Sequence, residues 1–215
     1  MPSRTAFNHV SGTSYPAPAR ARPSLQVLHS LPAEVRRQLR LADAPCVVEA
    51  LPILPDANAP ALQWGATHEV LGMGADRFAL NALMQAHSLQ SAHPSVWVGR
   101  PRDVGTLRPE GLAPWIPPAS LTLVEAKRRA DILWAAEQVL RAPAQALCVV
   151  QLDQGPGLSE SRRLQVAAEA GGSLGLVLIA RRAHSSTCQT RWECCPRRWA
   201  LCKNKGGGLG VWDVP

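Results

Sequence analysis

From His68 onward the sequence alternates short apolar runs with longer segments of helical period, and this restricts the fold more than any other feature. "HEVLG", "SVWVG" at 95–99, "SLTLVEA", "ALCVVQLD" and "LGLVLIAR" are each of strand length, and several are apolar at successive positions, so both faces of those strands need cover. The segments between them are helical. "RFALNALMQAHSLQ" follows the first strand, and "RRADILWAAEQVLRAP" puts Ile132, Leu133, Ala136, Val139 and Leu140 on one face before stopping at Pro143. "SESRRLQVAAEAGG" runs from a capping Ser159 to Gly171 and Gly172. Trp97 and Trp134 fall inside these apolar patterns and are predicted to be core. A run with Pro109, Pro114, Pro117 and Pro118 reads as a long connection. Strands alternating with helices predict a mainly parallel sheet covered on both faces. After Arg181 the period changes: "TRWECCP", "RWALCKNK" and "LGVWDV" are short alternating segments with a glycine turn at 206–208, which predicts a terminal antiparallel meander.

The remaining organisation follows from composition. Residues 1–23 combine Pro, Ala and isolated Arg and are expected to form a disordered basic tail. Residues 24–60 read as an N-terminal helix and linker. In "SLPAEVRRQLRLAD", Ser30 can cap a helix, Pro32 suits its first turn, and Leu31, Val35 and Leu39 share a face. "APCVVEALPILPDANAP" then gives an extended piece and a Pro-rich connector. The main domain is expected over 61–215, with its β extension from about 182. An apolar fraction of 46% with 18% charged residues fits a soluble globular chain, and no apolar run approaches the roughly 18 residues of a membrane span. Residues 1–33 lack Asp and Glu and contain no secretory apolar block; their composition also fits an organelle transit peptide.

The net charge of +7 sits at the two ends: six Arg face two acids in residues 1–45, and seven Lys or Arg face two acids in residues 181–215. Basic ends on a near-neutral body suit either a polyanionic or acidic partner or plain solubility. The six cysteines, at 46, 148, 188, 194, 195 and 202, form no C-x-x-C pair. Cys194 and Cys195 would face opposite sides of a strand, so reduced thiols and no metal are expected.

"HEVLGMGADRFALNAL" carries the strand, glycine turn and helix of a phosphate-binding loop. The chemistry that such a loop needs is gone. With Gly72 at the first glycine and Gly74 inside the turn, Arg77 replaces the second glycine, Phe78 the lysine and Ala79 the magnesium-binding hydroxyl. In the strand expected to supply a magnesium carboxylate, Gln151 stands in its place, and Asp153 lies two residues on and on the same face. No second histidine completes H-E-x-x-H, and there is no G-x-S-x-G elbow. No catalytic residue and no cofactor are therefore expected. Binding candidates lie in the basic C-terminal stretch. Arg197, Arg198, Lys203 and Lys205 flank Trp199 and Trp212, which suits phosphate contact with stacking, or equally a lysine-guarded edge strand over core tryptophans. Arg162 and Arg163 near a helix start, like Arg128 and Arg129, read as partner contacts or as a solvated face.

The ordered set "HEVLG", "ILWAAEQVLRAP", "SRRLQVAAEAGG" and "WALCKNKGGGLGVWDV" resembles the ImuA family of bacterial translesion-synthesis accessory proteins over residues 60 to about 214, the last two motifs being the most specific. The resemblance implies a RecA-like α/β fold, a mainly parallel sheet covered by helices with a C-terminal antiparallel β extension, and a degenerate nucleotide site. It also implies a non-catalytic role in SOS-induced, error-prone synthesis. The implied partners are an ImuB-like Y-family polymerase homologue and RecA, together with an error-prone replicative-type polymerase. DNA contact through the basic C-terminal region is a further implied reading, in a cytoplasmic, nucleoid-associated setting. Two alternatives stay open: a residual nucleotide-binding ATPase, and an inhibitor of division like the related SulA proteins.

Overall fold

The computed structural model describes residues 50–56, 59–89, 93–181 and 185–215. The expected tail at 1–23 and helix at 31–41 lie outside the described residues. The described residues form ten strands and five α-helices, in chain order: β1 (Ala50–Leu51), β2 (Leu62–Gln63), β3 (Ala66–Leu71), α1 (Ala75–Ser88), β4 (Ser95–Gly99), α2 (Pro101–Val104) and α3 (Pro109–Leu112). They continue as β5 (Leu121–Glu125), α4 (Arg129–Arg141), β6 (Leu147–Gln154), α5 (Leu158–Gly171), β7 (Leu174–Arg181), β8 (Thr190–Cys195), β9 (Arg198–Asn204) and β10 (Gly210–Asp213).

The fold is mixed α/β. Eight strands form one sheet in the order β10-β9-β8-β3-β7-β6-β4-β5. From β8 to β5 every pairing is parallel, and the returning strands β9 and β10 are antiparallel. The C-terminal meander thus begins with a strand that extends the parallel sheet beside β3. β1 and β2 form a separate two-stranded antiparallel ribbon.

The apolar runs explain the layers, because consecutive residues of a fully apolar strand face opposite sides. In β6, Leu147 and Val149 join a core with Phe78, Ala82 and Leu83 of α1, while Cys148 and Val150 join another with Ile132 and Leu140 of α4 and Leu164 and Ala168 of α5. α1 therefore covers one face, and α4 and α5 cover the other. Over β8, β9 and β10 only the α1 side belongs to a core: Trp192, Cys194, Trp199 and Leu201 are buried there, whereas Glu193, Cys195 and Cys202 are exposed. This one-sided burial produces the alternating sequence after Arg181.

Several expectations shift. The Pro-rich connection is not irregular throughout: α2 and α3 each start on a proline, which needs no amide partner in a first turn, and a 3₁₀ turn at Pro118–Ser120 precedes β5. Helix α5 is capped at Gly157 rather than Ser159, because the Gly157 N–H donates to Glu160 Oε2 at 2.9 Å. Its other end stops as expected, with Gly172 in the left-handed region at φ 63°. Trp97 is fully buried, but Trp134 is 61% exposed and Val139 is only half-buried, so the apolar stripe of α4 is narrower than its sequence suggests.

Candidate functional site

Strand β3 ends at Leu71 and α1 begins at Ala75, so Gly72, Met73 and Gly74 make the turn of the phosphate-type loop. Gly72 has φ 98°, a conformation glycine adopts without steric penalty. Both glycines also serve a close approach. A Cβ on Gly74 would lie 2.6 Å from the Cys195 carbonyl oxygen, and one on Gly72 would overlap the Cys194 carbonyl. The Gly74 N–H donates to that Cys194 oxygen at 2.8 Å. The backbone of β8 thus lies directly against the loop, and Met73 between the glycines is 87% exposed.

The three positions that depart from the phosphate motif point the same way. The Arg77 guanidinium donates to the Pro196 carbonyl at 3.0 Å, in the turn between β8 and β9. Phe78 is fully buried, its ring 5.3 Å from Trp192 and 4.8 Å from Trp199. Ala79 is fully buried as well. Arg77 and Phe78 hold the meander against α1.

At the carboxyl ends of β3, β6 and β7 a cavity of about 210 Å³ remains, and its lining includes Gly72, Asp76, Asp103, Gln151 and Asp153. Gln151 is not free to act there: its Oε1 accepts the Trp97 indole N–H at 3.1 Å. Asp153, read from sequence as a residual metal ligand, is engaged by two guanidiniums, those of Arg100 and Arg102, the latter at 2.8 Å. These donors hold its carboxyl below the usual range, chiefly through the Arg100 hydrogen bond. Asp76 is shifted upward, first by burial and then by the charge of Asp103. Three carboxyl groups around the crevice oppose an incoming polyphosphate, and the nearby arginines are already paired. Among the described residues no group of three His, Cys, Asp or Glu side chains is placed to hold a metal ion.

The C-terminal candidates separate into two sets. Trp199 is 3% exposed and Trp212 is half-buried, its ring tilted against Trp192 at 5.6 Å, so the indoles that alternate with the basic residues turn inward under α1. Lys203 donates from Nζ to the Ser186 carbonyl at 2.7 Å, and Lys205 to the Thr187 carbonyl, so both tether the segment leading into β8. Arg197 and Arg198 are exposed at the β8–β9 turn, next to the carbonyl that Arg77 holds. Arg162 and Arg163 are exposed on α5, in the opposite layer, where Arg163 pairs with Glu137 of α4. The basic residues and the tryptophans do not form one stacking surface.

Sequence reasoning missed the polar core beneath this region. Glu69 and Arg191, both buried, form an ion pair at 2.7 Å between the parallel strands β3 and β8. His68 Nδ1 lies 2.8 Å from the Thr190 hydroxyl, and burial lowers its pKa to about 4. Gln165 of α5 accepts both the N–H and the hydroxyl of Thr67. The signal was present: "THE" inside a strand buried on both faces requires partners for all three side chains. Cys148, Cys188, Cys194 and Cys195 are free thiols, and burial pushes that of Cys148 up to about 12.

Among the described residues no helix is long and apolar enough to cross a membrane. No family model matches the sequence, and no curated protein matches it. Among solved structures, SulA from Pseudomonas aeruginosa is similar over 54% of this chain and 98% of its own length, at 19% identity and a TM-score of 0.44.

Proposed function

We propose that this chain is a non-catalytic, RecA-like accessory protein of SOS-induced translesion synthesis, acting by binding an ImuB-like Y-family polymerase homologue and RecA. One observation carries the non-catalytic part: the Gly74 amide of the phosphate-type loop is committed to Cys194 of β8, and Phe78, at the lysine position, is core. Phosphoryl transfer depends on positioned positive charge, and this crevice offers carboxyl groups instead. The pathway and the partners rest on the resemblance of the ordered motifs, above all "WALCKNKGGGLGVWDV", to those of the ImuA family.

Pull-down of the ImuB-like homologue and of RecA by the intact chain is the direct test. Capture that is lost in the variant Arg197→Glu/Arg198→Glu, which changes only exposed side chains, is the expected result, and no capture by the intact chain sinks the reading. Millimolar ATP is expected to give neither a thermal shift nor phosphate release. Either signal would favour a residual ATPase, and cell filamentation on overexpression without DNA damage would favour a division inhibitor.

A further inference from the structure

Beside α1, away from the loop crevice, a groove of about 400 Å³ opens between the segment 52–55 and the end of the chain. Its apolar walls come from Ile53, Leu54, Met84, Trp115, Trp199 and Val214. The Trp199 indole nitrogen is sealed from solvent without a hydrogen-bond partner, an uncommon state for a buried donor. The lip of the groove is basic. Arg77 lines it, and the Val214 N–H donates to the Arg197 carbonyl at 2.8 Å, which fixes the Val214 wall beside the exposed Arg197 and Arg198. None of these three arginines forms an ion pair with a described residue, although Asp213 stands opposite Arg198 in the ladder.

An apolar trough with a cationic lip matches one chemistry in particular. We propose that this groove docks a peptide segment of a partner protein in which apolar side chains neighbour acidic ones. The apolar side chains fill the trough, and the carboxylates meet Arg77, Arg197 and Arg198 at its lip. Nucleic acid fits less well, because it would use the arginines but find no open aromatic face on the buried Trp199. The proposal deepens the partner-binding reading above and rests on it.

The test is fluorescence anisotropy of the intact chain with a fluorescein-labelled Leu/Glu peptide, compared with Leu/Lys and Ser/Glu peptides and a single-stranded oligonucleotide. Saturable binding of the Leu/Glu peptide alone is expected. It should weaken roughly tenfold in the double variant Arg197→Glu/Arg198→Glu and in Met84→Asp, and stay unchanged in Arg162→Glu on the opposite layer. Because Arg197 and Arg198 are exposed, the double variant keeps its thermal unfolding and so reads binding alone. Equal binding of the Leu/Lys peptide, binding that survives both groove variants, or binding of the oligonucleotide in place of the peptide overturns the proposal. Capture of the ImuB-like homologue or RecA without peptide binding overturns the groove and leaves the accessory role standing. Peptide binding without such capture supports the groove and sinks the accessory role.

Discussion

A lysine at position 78 would have to place its charge among the rings of Trp192 and Trp199, in an apolar core. Restoring the motif residue should therefore damage the fold instead of reviving a reaction. Phe78→Lys is expected to lose about 3–5 kcal/mol in chemical denaturation and to show no ATPase activity, and measurable hydrolysis by that variant would contradict the account. Gly72→Ala tests the other half of the loop. A side chain there meets the Cys194 carbonyl at an unfavourable φ, so a loss of about 2–4 kcal/mol is expected, against no more than about 0.5 for the neighbouring exposed Met73→Ala. These residues also mark how far sequence reading reached at the site. The departures from a phosphate-binding motif were legible because the motif is local and every position can be checked against its role. That the glycines now admit β8 was not legible, because Cys194 and Cys195 lie far away in sequence and no local pattern encodes the pairing of distant strands.

Individual elements were read well wherever one physical signal dominated. The run "SVWVG" and β4 coincide at Ser95–Gly99, since a short apolar run that is almost wholly buried has sharp ends. The start of α5 was misplaced because serine is a preferred cap by type, while a reaching Glu160 does the work for a glycine. Trp134 was assigned to the core because period alone says which residues share a face, not how wide a surface lies beneath them. The joint between β3 and β8 offers a test at this scale. Removing one member of the buried Glu69–Arg191 pair, as in Arg191→Met, strands a charge and is expected to cost about 3–5 kcal/mol. Adding Glu69→Gln should recover a good part of that loss. A double-mutant cycle with simple additivity would show that the pair does not couple the two strands.

For the whole molecule, the buried His68 sets how stability responds to acid. Its pKa is lowered from 6.5 to about 4, so the unfolded chain takes up the proton first and stability must fall as pH drops through that interval. The effect amounts to about 3 kcal/mol across the window, fully developed near pH 4 and absent above pH 7. Denaturation midpoints measured from pH 7 to 4 should show it, and His68→Gln should flatten the slope while lowering the plateau. An unchanged slope in that variant would assign the acid response to other groups, such as Asp153 and Glu160, whose lowered pKa values make their contributions fade at more acidic pH.

The position of β3 in the sheet has a consequence for how the protein is made. This strand is complete at Leu71, yet its two neighbours are β7, which starts at Leu174, and β8, which starts at Thr190. At ordinary translation rates both edges of a buried strand wait about 5–20 s for any partner, and the aromatic face of Phe78 waits with them for Trp192 and Trp199. A nascent chain stalled before Thr190 therefore presents an open strand edge and an uncovered apolar helix face. Such a chain is a substrate for chaperones and proteases, so the amount of folded protein in a cell depends on ribosomes translating β8 to β10.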